Sequence, residues 1–353
     1  MNPPPANLLD FATQALGVRP SRWERMAGGG SDREFHRLWA GEASYVAALC
    51  ADRAECRAFV GWTPHFRARG IPVPQLFGER LAEGLYLMED LGPETLCDRL
   101  VALGESPDGR ERRLAALETA VRWLPRIQVQ GGEGLDYRLC PEEPIMGSAT
   151  YRADIRLFLD RYVAAHAPAS MPGASVRAAL EALVDRAAAL DTTHFCYRDF
   201  QTRNIMWREE APVFLDYQSG RQGPLVYDLA SILYSPDSRL DDAGRERLIG
   251  AYLEALGECG IRVERGEFLG AFFPMVLLRR FQALGAYARL AADKGKVHYL
   301  DKVPAALADL RSLLADGRIG GESPALRDWL GDLLAAEPRS AAPPNRGPER
   351  DSA

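Results

Sequence analysis

The rhythm of hydrophobic and polar positions changes once along the chain, at Gly92-Pro93. Before it the apolar runs are short and strand-like; after it they are long, rich in Ala, Leu and Arg, and helical in period. A short helix is expected over residues 7–16 and a loop over 17–21, followed by strands at 23–26, 34–40 and 43–50. Residues 53–69 carry Phe59, Trp62 and Phe66 at near-helical spacing and read as a helix. Pro72 and Pro74 restrict their predecessors to extended geometry, so 70–74 is extended and leads into paired strands at 75–78 and 84–89. Beyond Gly92, helices are expected at 94–103, 109–128, 151–166 and 174–189. A hairpin with strands at 205–207 and 213–215 around a polar turn, 208–211, interrupts them, and helices resume from 228 to 314. The pattern predicts an α+β chain of two lobes, a small antiparallel β-rich lobe over 1–90 and a larger helical lobe over 91–335. Residues 336–353, rich in Pro, Arg and Ser and poor in large apolar side chains, read as a disordered tail.

Composition narrows the class. With 353 residues, 47% of them hydrophobic and 26% charged, the chain has the balance of a globular protein with a sizeable core. Disordered, collagen-like and coiled-coil chains are excluded. A net charge of −6 argues against a nucleic-acid surface as the main function. The six cysteines form no CxxC pair and the five histidines no HxxxH pair, so a zinc site has little support. Scattered thiols suit a reducing compartment. The first 16 residues lack a basic segment and a long apolar run, and the apolar run at 271–278 is short and broken by Pro274. A cytoplasmic protein with no membrane span is expected. Lysine occurs only at Lys294, Lys296 and Lys302.

One segment carries chemistry. Tyr197-Arg198-Asp199-Phe200-Gln201-Thr202-Arg203-Asn204 is followed by Phe214-Leu215-Asp216-Tyr217, which sets Asn204 five residues after Asp199 and Asp216 twelve after Asn204. The hairpin between them would return Asp216 to the end where Asn204 begins. An amide oxygen and a carboxylate converging there suit magnesium, and Asp199 just upstream could accept a hydroxyl proton. Singly, each of these residues is an ordinary turn former. The combined spacing, flanked by strands, favours phosphoryl transfer.

Tyr-Arg-Asp-x-x-x-x-Asn and the later Leu-Asp-Tyr resemble the His-Arg-Asp-x-x-x-x-Asn and Asp-Phe-Gly motifs of protein kinases. They are closer to the aminoglycoside and choline kinase-like phosphotransferases. Within that family, Arg198-Asp-Phe-Gln-Thr-Arg-Asn-Ile-Met206, Gly223-Pro-Leu-Val-Tyr-Asp-Leu-Ala-Ser-Ile-Leu233 and Gln282-Ala-Leu-Gly-Ala-Tyr287 are similar to bacterial anomeric kinases of N-acetylmuramate and N-acetylglucosamine. The likeness runs from about Gly28 to about Leu314. It implies a protein-kinase-like bilobal fold with nucleotide in the cleft. It also implies Asp199 as the catalytic aspartate, Asn204 and Asp216 as metal ligands, and Asp228 as a buried brace of the catalytic loop. Tyr197 departs from the usual histidine at a scaffold position.

Gly28-Gly29-Gly30-Ser31-Asp32-Arg33 lies where a kinase glycine-rich loop would lie, between the first two strands. Its amides and the Ser31 hydroxyl would meet phosphates. It has neither the Rossmann nor the P-loop spacing. Alone it would read as a flexible hairpin turn. The strand lysine that holds the phosphates in protein kinases is missing, and Arg33 or Arg37 is the expected substitute, with Glu55 able to orient it. A solvated helix charge is the equally weighted reading of Glu55. Leu87-Met88-Glu89-Asp90-Leu91-Gly92 resembles the hinge whose backbone, around Glu89 and Leu91, would hold adenine. Asp154, Arg156, Arg279, Arg280 and Gln282 sit on helices of the large lobe, as surface charges or as an acceptor-binding face.

The resemblance implies an ATP- and Mg2+-dependent kinase that phosphorylates the anomeric hydroxyl of N-acetylmuramate or N-acetylglucosamine in cell-wall sugar recycling. Its partners would be ATP and a small amino sugar, with no nucleic acid and no membrane, and it would act as a monomer. A kinase of another small alcohol, such as an aminoglycoside or choline, stays open. So does a pseudokinase that binds nucleotide or a partner without catalysis.

Overall fold

The computed structural model of the protein describes residues 6–26 and 33–336. The described chain forms two compact units, Met1–Met146 with Leu190–Phe272, and Gly147–Ala189 with Phe273–Ala353. The glycine-rich positions Gly28, Gly29, Gly30 and Ser31, and the tail from residue 337, lie outside the described residues.

The first unit opens with helix α1 (Ala6–Leu16) and strands β1 (Arg22–Arg25), β2 (Glu34–Ala40) and β3 (Ala43–Leu49). Helix α2 (Arg53–Ala68) and strands β4 (Leu76–Arg80) and β5 (Leu85–Glu89) follow. The five strands form one antiparallel sheet in the order β1-β2-β3-β5-β4. Alternation along β5 decides what each face covers. Leu85 and Leu87 join Leu38 and Ala47 under α1, against Leu8, Leu9, Phe11 and Ala12. Tyr86, pointing the other way, stacks on Phe59 of α2 with ring centroids 4.8 Å apart. The sheet thus holds α1 on one face and α2 on the other. Asp52 caps α2 by accepting from the backbone N–H groups of Ala54 (2.7 Å) and Glu55 (3.2 Å), which fixes the first turn that carries Glu55.

Beyond residue 90 the unit becomes helical, with α3 (Leu96–Ala102) started by a Thr95–Asp98 capping box and α4 (Pro107–Gln128) capped by Ser106. The change of rhythm at Gly92-Pro93 falls inside this unit, right after β5.

In the second unit, α5 (Ser148–Leu157) widens into a π turn at Phe158–Val163 before ending as α6 (Ala164–His166). The sequence predicts one regular helix there. Gly285 supplies a physical reason for the difference: a Cβ at that position would lie 2.8 Å from the Phe158 backbone nitrogen, so another helix approaches to backbone contact where the turn widens. Helix α7 (Ala174–Ala188) follows in the same unit.

Back in the first unit, the chain runs through β6 (His194–Cys196), the hairpin β7 (Ile205–Arg208) and β8 (Ala211–Phe214), and β9 (Arg221–Gly223). Helices α8 (Val226–Leu233) and α9 (Asp242–Glu258) come next. Helix α10 (Arg265–Lys294) carries the chain into the second unit, which closes with α11 (Val303–Ala315) and α12 (Pro324–Ala335). No described helix is long and apolar enough to cross a membrane.

The β7–β8 turn is tighter than the sequence predicts. Glu209 and Glu210 both take positive φ, 52° and 61°, as a two-residue type I′ turn requires. Side chains with a Cβ are strained in this region, and asparagine is strained least. Glu209→Asn should therefore raise stability by roughly 0.5–1 kcal/mol. An increased urea midpoint would show it, and Glu210 keeps its ion pair with Arg99.

Candidate active site

Strand β6 pairs antiparallel with β9, Cys196 opposite Arg221, and the chain leaves β6 directly into Tyr197-Arg198-Asp199. What shapes this loop is Asp228, in the first turn of α8 and fully buried. One carboxylate oxygen accepts the backbone N–H of Tyr197 (2.8 Å) and the Gln128 amide (3.0 Å). The other accepts the backbone N–H of Arg198 (2.9 Å) and, more weakly, the Cys196 thiol (3.6 Å). Burial pushes the Asp228 carboxyl up to about 6, while the donors from Tyr197, Gln128 and Arg198 pull it down. The brace holds Arg198 at a φ of 73°, a left-handed conformation that turns the chain sharply before Asp199. The Arg198 guanidinium is anchored on the Tyr227 hydroxyl at 2.7 Å.

Asn204 ends the short turn Thr202–Asn204 and leads into β7. Its side-chain Nδ2 donates to the Asp199 carbonyl (2.8 Å), so its amide oxygen is the atom that could meet a cation. Its own carbonyl accepts from Leu215 N (2.9 Å), which ties the start of the hairpin to the residue before Asp216. Asp216 lies two residues beyond β8 and not at its end, at a φ of 69°. The Tyr197 hydroxyl, where protein kinases carry histidine, donates to the Leu215 carbonyl. It thereby links the Asp199 loop to the Asp216 loop.

The resemblance implies a phosphate-facing arginine that Glu55 could orient, with a solvated charge the equal alternative for Glu55, and the structure brings Arg33, Glu55 and Asp216 together. Arg33, just before β2, contacts Asp216 Oδ1 with its Nη2, and its Nε lies 3.9 Å from Glu55 Oε2. The guanidinium is largely buried, which opposes its charge, and the Asp216 carboxylate outweighs this and holds it firmly protonated. Burial pushes the Glu55 carboxyl up, and the nearby Arg33 charge offsets this only in part. Arg37 is engaged elsewhere. It grips Asp90 with two nitrogens (2.6 and 3.1 Å) and reaches Glu24 (3.2 Å) and the Gly92 carbonyl (3.3 Å). Its place is behind the 89–92 segment. There Glu89 accepts from Arg208 (2.6 Å), and Leu91 is buried.

Three residues that the sequence reading did not single out complete the centre. Gln218 donates to Asp216 Oδ1 (2.9 Å), Ser219 donates to Asp199 Oδ2 (3.1 Å), and buried Arg221 donates to the Ser219 carbonyl (3.3 Å). Their signal was only adjacency to Asp216. Asp154, Arg156, Arg279, Arg280 and Gln282 all belong to the second unit, where Arg279 donates to Gln282 (2.8 Å). Arg279 and Arg280 are buried, so they are not the surface charges that their helical setting suggested.

Residues 22–268 match the family described as "Phosphotransferase enzyme family". An N-acetylmuramate/N-acetylglucosamine kinase from Pseudomonas aeruginosa is 26% identical over 96% of this chain and 90% of its own length. A protein of the same name from Caulobacter vibrioides is 26% identical over 92% of this chain and 95% of its own. Among solved structures, choline kinase LicA from Streptococcus pneumoniae superposes with a TM-score of 0.57 at 13% identity, covering 86% of this chain and 98% of that one. An ADP-bound aminoglycoside phosphotransferase gives 0.55 at 12% identity, covering 92% and 99%. These likenesses give the fold, a protein-kinase-like one.

The Asp228 carboxyl generates a signed pH effect. Its folded value of about 6 lies above its ordinary 3.8, so its stabilising contribution is complete below about pH 4. That contribution is lost as pH rises through about 6 and amounts to roughly 3 kcal/mol. Asparagine does not titrate. The melting temperature of the wild type relative to Asp228→Asn should therefore decline between pH 4 and 6 and run parallel above pH 7. A relative stability that rises across that interval would mean the amide donors outweigh burial.

Proposed function

Because the chain belongs to the phosphotransferase enzyme family, we propose that it moves the γ-phosphoryl group of ATP to the anomeric hydroxyl of N-acetylmuramate or N-acetylglucosamine. The observation that carries the kinase chemistry is the cluster of Asp199, Asn204, Asp216 and Arg33 around one loop pair. The acceptor is supported by relatives named N-acetylmuramate/N-acetylglucosamine kinase, matched over 90% or more of their own length.

Asp199 would orient the acceptor hydroxyl and take its proton. With Oδ2 occupied by Ser219, Oδ1 is the oxygen available. A hemiacetal hydroxyl is more acidic than a primary one, and phosphoryl-transfer transition states are loose, so one carboxylate and correct orientation suffice. Asn204 and Asp216 would hold magnesium, which neutralises phosphate charge when bound. The residues fit that ion. Both offer hard oxygens, and a guanidinium already lies against Asp216 Oδ1.

Arg33 would supply the charge that a strand lysine supplies elsewhere, its planar fork suited to phosphate oxygens and its setting fixed by Glu55. Gly28, Gly29, Gly30 and Ser31 would cover the phosphates, and the backbone of Glu89 and Leu91 would hold adenine. In this reading residues 1–90 form the nucleotide-side lobe and 91–335 the catalytic lobe of a cytoplasmic monomer.

The test offers the purified chain magnesium-ATP with N-acetylglucosamine, N-acetylmuramate, the 1-O-methyl glycoside of N-acetylglucosamine, an aminoglycoside or choline. ADP release is expected with the two free sugars, and phosphorus NMR should show a phosphate coupled to H1. The glycoside, its anomeric oxygen blocked, should be inert. Equal turnover of the glycoside would overturn the anomeric assignment, and turnover of the cationic acceptors alone would overturn the sugar.

A further inference from the structure

We propose that Ser219 is a positioning residue for Asp199, set in place by a strap built from Glu142 and Arg221; the proposal rests on Asp199 being the carboxylate that takes the acceptor proton. The residues after Asp216 form a tight turn, with Gly220 N donating to the Tyr217 carbonyl at 2.9 Å. Within it, adjacent side chains reach the two carboxylates of the centre. Gln218 donates to Asp216 Oδ1 at 2.9 Å and Ser219 to Asp199 Oδ2 at 3.1 Å. One turn therefore fixes the cation-binding carboxylate and the proton-accepting carboxylate relative to each other. A hydroxyl bonded to one oxygen of Asp199 also fixes the rotation of the carboxylate, and so the direction in which the other oxygen meets an acceptor.

The turn cannot drift, for reasons visible on its far side. A Cβ at Gly220 would run into the Phe195 ring, so the backbone there packs closely against a buried aromatic. Arg221 is 2% exposed, and its Nη2 donates both to the Ser219 carbonyl (3.3 Å) and to Glu142 Oε2 (2.8 Å). Burial raises the Glu142 carboxyl and Arg221 lowers it further, so the net shift is downward and the pair stays ionised. Around Glu142 the chain runs alongside β9. Cys140 Sγ donates to the Gly220 carbonyl (3.3 Å), Gln222 N to the Pro144 carbonyl (2.8 Å) and Met146 N to the Gln222 carbonyl (2.8 Å). Arg221 also pairs with Cys196, the residue before Tyr197. Strap, strand and turn thus fix the Ser219 hydroxyl.

The test compares Ser219→Ala, Ser219→Thr, Asp199→Asn and the double variant Asp199→Asn/Ser219→Ala by steady-state kinetics, with thermal melts as the check on folding. Loss of the hydroxyl should lower kcat about 10-fold. The KM for ATP and for the sugar should stay within about two-fold. Threonine, which keeps the hydroxyl, should restore most of the rate. In the Asp199→Asn background, removing the Ser219 hydroxyl should add less than about a two-fold loss, because its partner carboxylate is gone. An equal loss in both backgrounds, a rise in KM without a fall in kcat, or a threonine variant as slow as alanine would overturn the role of Ser219. Near-normal turnover by Asp199→Asn alone would instead overturn the reading of Asp199 on which the proposal rests.

Discussion

The site depends on one buried carboxylate. Asp228 sits in the interior with no exposed surface, an expensive place for a charge, and four donors converge on it. Two of them are the consecutive backbone amides of Tyr197 and Arg198, just past the end of β6. Satisfying them holds Arg198 in a left-handed conformation that costs a non-glycine residue on the order of 1 kcal/mol. The result is a chain that turns at a defined place and presents Asp199 and Asn204 from one short loop. Gln128, itself bonded to Tyr252 (2.7 Å) and to the Leu225 carbonyl (3.1 Å), ties α4, α8 and α9 into the same network.

A second constraint is electrostatic. With no lysine before Lys294, the cation paired with Glu55 of α2 is Arg33, which enters from the start of β2 and not from β3. Its position beside Asp216 links the sheet, α2 and the Asp216 loop. Packing reinforces that link. Tyr217 stacks on Phe59 of α2 (4.9 Å), Phe59 stacks on Tyr86 of β5, and the Tyr217 hydroxyl meets Thr63. A change at Asp216 would therefore be felt in α2 through both a charge and an aromatic column.

Much of this was legible in the chain. The five-strand sheet with its helix, the hairpin and the helical remainder follow from hydrophobic period and from proline and glycine. The trio Asp199, Asn204 and Asp216 follows from spacing. Less legible were features that depend on contacts between distant segments. The π turn at Phe158–Val163 answers to Gly285, far along the chain. Strands β6 and β9 have three residues each, too short for a period to show. Asp216 lies past its strand in a left-handed conformation that no side-chain pattern announces. Ser219, Gln218 and Arg221 have ordinary turn and strand identities, and only the folded loop reveals what they hold. Arg33 was favoured over Arg37 in sequence only by its place at the glycine-rich hairpin. The structure separates them because Arg37 is taken up by Asp90, Glu24 and Gly92.

In the proposed reaction Asp216, held between Arg33 and Gln218, would be where the cation and the phosphates meet. The most direct measurement is the equilibrium affinity for ATP across a magnesium titration, wild type against Asp216→Ala, without any acceptor present. Magnesium should strengthen ATP binding by the wild type at least about 10-fold. The variant should lose that dependence. An unchanged magnesium dependence in Asp216→Ala would place the cation elsewhere and contradict the account.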